Sequence, residues 1–123
     1  MHDFSNFLYH RSSGQDCSDL DICRMAAFLI QNGTCYVCNR PLQEHKRQLH
    51  HRLPRQYGGK DTPGNLIYLD TRIHRAIHAE TFEDFYMFLR DLEEPLTVEQ
   101  LGMVNQLRVE ARNQPFLPEK EEA

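Results

Sequence analysis

Five residues in the middle of the chain carry its chemistry. His50 and His51 are adjacent, Asn65 follows, and His74 and His78 lie four apart further on. Neighbouring side chains on a strand point to opposite faces, so one of the paired histidines can hold a metal ion while the other handles a proton. Residues four apart on a helix share a face, so His74 and His78 can grip a single ion. Phosphodiester hydrolysis calls for these parts: a positioned water, a base to deprotonate it, and a cation facing the charge that develops on the phosphate and leaving oxygen. His51 suits the base, since imidazole titrates near working pH. Arg55 and Arg75 could reach phosphate oxygens bidentately.

The run from His50 to Ala79, with its His-His, Gly58-Gly59-Lys60-Asp61, Asn65 and His74, resembles the HNH nuclease motif, which folds as a ββα-metal unit. With Gln31 to Cys38 before it and Val104 to Phe116 after it, the chain is most similar to the endonuclease domain at the end of group II intron reverse transcriptases. The similarity spans about residues 28 to 117 and is most specific in its middle third. It implies His50 and His74 as metal ligands with His78 as the third. It also implies that Asn65 braces the loop between strands and orients His51 through its amide, with Arg75 beside them in catalysis.

In those enzymes the activity is one-strand cleavage of target DNA. The resemblance therefore implies DNA as substrate, and a reverse transcriptase or intron ribonucleoprotein as partner. No reverse-transcriptase domain is present, so the expectation is a free-standing or severed relative. HNH sites are shared widely, and phage packaging, defence and homing are rival roles. A non-catalytic nucleic-acid-binding remnant is another, but binding alone does not need a base beside a metal. One divalent ion is expected in the active site. Imidazole ligands suit Zn²⁺, Mn²⁺ or Ni²⁺ better than Mg²⁺, which prefers oxygen.

The cysteines depart from the common HNH pattern, in which a second Cys pair beside the helix completes a structural zinc knuckle. Cys35 and Cys38 have the spacing for half of a tetrahedral site. The remaining ligands would come from Cys17, Cys23 or His45; the alternative is a knuckle that has degenerated into packing. Four unevenly spaced cysteines do not argue for a secreted disulfide scaffold.

The net charge of −4 divides unevenly. Residues 35 to 78 carry eight Lys/Arg against three acidic side chains, a local +5, whereas residues 79 to 123 carry four against eleven, a local −7. Basic charge thus sits with the candidate site, and Arg52, Arg55, Lys60, Arg72 and Arg75 are the candidates for phosphate contacts. No apolar run approaches the length of a membrane span, and no leader pattern opens the chain. A soluble cytoplasmic protein with no membrane partner is expected.

The elements needed to position these residues form an α+β layout: a ββα-metal core with an N-terminal helix and two C-terminal helices. At 123 residues one domain is expected. Residues 1 to 15 read as loosely ordered, 16 to 117 as the nuclease domain and 118 to 123 as a disordered acidic tail. Ser18 or Asp19 can cap a helix running through Asn32, with Cys23, Ala26, Ala27 and Ile30 on one face and Gly33 as its stop. A Cys35–Cys38 turn, a strand carrying His50-His51, a Gly58-Gly59 loop, a strand at Leu66 to Leu69 and a helix around 71 to 79 follow. Phe82, Phe85, Tyr86, Phe88 and Leu89 predict an amphipathic helix packed on the core, or alternatively a docking face. A capping box at Thr97 to Gln100 opens a last helix to about Asn113, which Leu101, Val104, Leu107 and Arg108 pack back on the nuclease core.

Overall fold

A computed structural model describes residues 20–116. The loose N-terminus, the Ser18 or Asp19 cap, Cys17 and the acidic tail lie outside the described residues. The fold is mixed α and β. In chain order it comprises α1 (Leu20–Ile30), β1 (Arg47–His51), β2 (Leu66–Asp70), α2 (Thr71–Ile77), α3 (Phe82–Arg90) and α4 (Val98–Glu110), with 3-10 turns at Glu44–Lys46 and Arg55–Tyr57. The described residues form two compact units, one ending at Thr71 and the other beginning at Arg72.

In the first unit, β1 and β2 pair antiparallel with His50 opposite Ile67 and His51 opposite Leu66. Directly opposed residues share a face of the sheet, so His51 lies on the Leu66 face and His50 on the other. Cys23 and Ala27 of α1 cluster with Leu66, and Leu49 and Tyr68 pack against them. α1 ends at Ile30, earlier than the expected Asn32, because Asn32 (φ 56°) and Gly33 (φ 72°) are both left-handed and stop the helix. Ile30, expected on the buried face, is 54% exposed at that last turn. Just beyond it, Gln31 joins helix to sheet. Its side-chain Nε2 donates to the Tyr68 carbonyl (2.9 Å), and its Oε1 accepts from the Tyr68 N–H (2.9 Å).

The connection from β1 to β2 is folded back on itself. Gly58 (φ 93°) closes the Arg55–Tyr57 turn. Gly59 lies so close to the preceding chain that an added Cβ would stand 1.7 Å from the Leu53 carbonyl oxygen. A side chain is excluded there by backbone, which cannot swing aside.

In the second unit, Arg108 of α4 is the organising residue. It is 2% exposed, and its Nη1 donates to the carbonyls of Ala76 (2.8 Å) and Ile77 (2.9 Å), while Nε donates to the Gln114 carbonyl (2.7 Å). A guanidinium on the last carbonyls of α2 satisfies groups that further helical turns would otherwise have used, and it complements the helix dipole. α2 accordingly stops at Ile77, short of the expected residue 79. Phe116 and Phe85 flank the same guanidinium, at 4.2 and 5.5 Å from its carbon to the ring centres.

The capping box that opens α4 is complete, with Thr97 Oγ1 accepting from Gln100 N–H and Gln100 Oε1 accepting from Thr97 N–H, both at 3.0 Å. The helix closes at Glu110, before the expected Asn113, and Arg112 turns left-handed (φ 70°). Val104, Leu107 and Arg108 are buried, and Leu101, expected with them on one face, is half-buried. The aromatic stripe of α3 is not a core face. Phe85 alone is buried, whereas Phe82 and Tyr86 are more than half exposed and stack on each other at 6.2 Å. Phe82 also meets the rings of Phe116 (6.1 Å) and Phe85 (6.4 Å), so these aromatics cover one another at the surface.

Candidate active site

β1 delivers the two histidines as the alternation requires: His50 is 2% exposed and His51 half-buried on the opposite face. The neighbours of His51 were not legible from spacing. Its Nε2 lies 2.7 Å from Asp61 Oδ1, and Asp61 Oδ2 accepts from Arg55 Nη2 at 2.7 Å. Arg55 Nε also approaches His51 Nε2 at 3.4 Å. One ring nitrogen cannot both donate to the carboxylate and accept from the guanidinium, and the shorter, charge-assisted contact prevails. Nε2 then carries the hydrogen and Nδ1 the lone pair. The Asp61 carboxyl is held below the usual carboxylate range, first by the His51 hydrogen bond and then by Arg55, against the opposing effect of burial.

Asn65 ties the loop down by three hydrogen bonds. Its Oδ1 accepts from Leu53 N–H (2.8 Å), and its Nδ2 donates to the carbonyls of Leu53 (3.1 Å) and Lys60 (3.0 Å). All three bonds go to backbone. The carboxylate of Asp61, next to the Lys60 that Asn65 ties down, bonds His51, so Asn65 acts on His51 through the loop rather than through its own amide. Asp61 was the residue missed. The only signal for it is its place one residue after that lysine.

In the second unit, His74 and His78 meet edge to face with ring centres 4.8 Å apart. His78 sits one residue past α2, but its N–H donates to the Arg75 carbonyl (3.2 Å) and continues the helical turn. Their shared face therefore survives the early end of the helix. Burial pushes the His74 imidazole down to about 4, and His78 lowers it further. Burial also lowers His78, with Arg108 adding to it. Both shifts favour the neutral ring, the form that binds a cation. Each of His50, His74 and His78 offers one imidazole nitrogen, and the three could hold a metal ion.

The candidate phosphate-binding arginines divide. Arg55 is engaged with Asp61. Arg72 bonds Asp91 Oδ2 through Nη2 (2.8 Å) and the Phe88 carbonyl through Nε (3.2 Å), joining α2 to α3. Arg52 leans over Tyr36, its guanidinium carbon 5.3 Å from the ring centre and its Nη1 donating to the Tyr36 hydroxyl at 3.3 Å. Arg75 and Lys60 are exposed. The structure thus turns Arg55 and Arg72, expected on phosphate, toward carboxylates of the chain, because both carboxylates lie within a charge-assisted hydrogen bond.

Cys35 and Cys38 are free thiols in a tight turn, where Cys35 N–H donates to the Arg40 carbonyl (2.9 Å) and Asn39 N–H to that of Cys35 (3.0 Å). Cys35 Sγ accepts from Asp70 N–H at 3.4 Å. A hydrogen bond from the Cys38 thiol lowers Cys35 to about 6, and the same bond raises Cys38. The zinc expectation gains no further ligand among the described residues. Cys23 is disulfide-bonded, His45 is exposed, and no third Cys, His, Asp or Glu there groups with Cys35 and Cys38 around one ion. No described helix is long and apolar enough to cross a membrane. No family model, curated protein or solved structure matches the chain.

Proposed function

We propose that this chain is a divalent-metal-dependent endonuclease of the HNH kind that hydrolyses DNA phosphodiesters, nicking one strand, on a ββα-metal core. The observation that carries the reading is the 2.7 Å bond between His51 and Asp61. A histidine fixed in one tautomer by a carboxylate, with its other nitrogen left to accept a proton, is a general base held in readiness. His50, on the opposite face of the same strand, is the residue type that binds a cation.

The donor set fits a borderline divalent ion, since imidazole nitrogens suit Mn²⁺, Ni²⁺ or Zn²⁺ and the surroundings of His74 and His78 favour their neutral forms. His50, His74 and His78 would hold it. When bound, the ion supplies charge stabilisation to the phosphate and the departing oxygen. The chain supplies the remainder. Nδ1 of His51 takes the proton of the attacking water, and Asp61 stabilises the imidazolium that results. Asn65 and the Gly58-Gly59 turn hold the loop that presents Asp61, while Arg75 and Lys60 draw the phosphate backbone in.

A plasmid-nicking assay with and without divalent metal tests the reading. Nicking supported by Mn²⁺ or Ni²⁺ at least as well as by Mg²⁺, and abolished by chelation, is expected. Intact plasmid under every metal condition would remove the nuclease assignment.

A further inference from the structure

A cavity of about 280 Å³ opens in the first unit, its mostly apolar lining drawn from Ala27, Leu66 and Ile67 together with Tyr36, Arg52 and Gly64. Ile30, left exposed at the end of α1, also borders it. The volume is small beside the clefts that hold drug-sized ligands, and suits one ring system. Its rim pairs an aromatic face with a cation, since Arg52 lies over the Tyr36 ring and bonds its hydroxyl. Nothing in the His51–Asp61 chemistry requires this arrangement.

We propose that the cavity is a nucleobase site, which receives one unpaired or extruded base of the DNA strand being cut. The inference rests on the nuclease reading. Three observations favour a base over another occupant. A flat π-face is the ligand that both an aromatic ring and a guanidinium plane stack upon. The cavity lining is mostly apolar, yet a cation stands at its rim, as a base attached to a phosphate requires. Leu66, which lines the cavity, is the cross-strand partner of His51, and Arg52 follows His51 in the chain. A base in the cavity therefore lies beside the strand end that carries His51. Stacking is indifferent to sequence, so the site selects for an unpaired base and not for a particular one.

The test uses the full chain in chelator, so that neither metal nor cleavage is needed. An oligonucleotide carrying 2-aminopurine is titrated as a single strand, within a bulge and within a perfect duplex, and its fluorescence is read. The wild-type chain should bind the unpaired and bulged forms more tightly than the duplex by roughly five- to hundredfold, with quenching of the probe. Gly64→Leu supplies the blocking variant. Gly64 lines the cavity and a Cβ there meets no atom within 4 Å, so Gly64→Leu adds bulk at the cavity without a backbone clash. It should abolish both the preference and the quenching, as should Tyr36→Ala, while Tyr36→Phe retains both. Equal affinity for paired and unpaired probes in the wild type, or unchanged quenching in Gly64→Leu, overturns the proposal. Preference for the unpaired probe in a chain that never nicks plasmid leaves the base site standing and the nuclease reading fallen; nicking without that preference does the reverse.

Discussion

Asp61 Oδ1 lies 2.7 Å from His51 Nε2, across a loop that only its glycines and Asn65 allow to close. The carboxylate acts on the imidazole by deciding which nitrogen keeps the proton. Asp61→Asn preserves the shape but removes the charge and can reverse the tautomer. Nicking should fall about ten- to hundredfold with the metal titration midpoint unmoved, and Asp61→Glu should restore part of it. A shifted midpoint in Asp61→Asn would make the carboxylate part of the metal site instead. His51→Ala should cost about 10²–10⁴ in rate while leaving metal binding intact.

The same carboxylate gives a pH signature of stability. Its folded value is lowered below the ordinary 3.8, so its contribution is present above that value and is lost as pH falls through the folded one. The stability difference between wild type and Asp61→Asn should therefore be constant from pH 7 to about 5 and shrink below about 4. Urea unfolding of both proteins at pH 7 and pH 3 measures it, and an undiminished difference at pH 3 would contradict the pairing.

Gly59→Ala forces a Cβ against the Leu53 carbonyl and should destabilise the chain by about 3 kcal/mol. Gly64→Ala, where space is open, should cost far less. Thermal melts of the two variants compare a blocked glycine with a free one, and equal losses would deny the close approach.

Arg75 and Arg72 lie three residues apart on α2 and should behave oppositely. Arg75 is exposed, and neutralising it with Gln should weaken DNA binding about equally across sequences and flatten the plot of log affinity against log salt by about one unit. Arg72→Gln should leave that slope unchanged and lower the melting temperature, since Arg72 is bonded to Asp91 and Phe88. Binding isotherms at several salt concentrations separate the two.

Arg108→Lys should not rescue Arg108→Ala. A lysine keeps the charge but cannot serve the carbonyls of Ala76, Ile77 and Gln114 from one planar fork. Truncation takes a donor from each of those carbonyls, although Ala76 keeps the Ala79 N–H and Ile77 keeps Asn113 Nδ2, and should cost about 3 kcal/mol. Equal stability of the Lys variant and wild type would show the fork to be dispensable.

Periodicity made the order of elements readable. Two-residue alternation placed His50 and His51 on opposite faces of β1, and the spacing of four brought His74 and His78 together even though the helix stopped between them. Thr97 and Gln100 announced the start of α4 because a capping box is local. Pairings formed by loop closure were not readable. Asp61 meets His51 only after Gly58 turns left-handed and Gly59 lets two backbones touch, and no spacing encodes that meeting. Ile30, Phe82 and Tyr86 had the right periodicity to be buried, but an apolar stripe does not say whether anything covers it. Arg55 and Arg72 read as phosphate ligands because the carboxylates that engage them lie outside any motif.

The Gln31 side chain has a consequence for the open edge of the sheet. A two-stranded sheet presents open edges, and an open edge is a template for another chain. Tyr68, at the centre of β2, would offer such an edge, but its N–H is taken by the Gln31 amide and its carbonyl by that amide and the Tyr36 N–H together. A further strand could pair with β2 at Tyr68 only by displacing both. One glutamine at the foot of a helix thus shares with a neighbouring backbone the work of closing that stretch of edge.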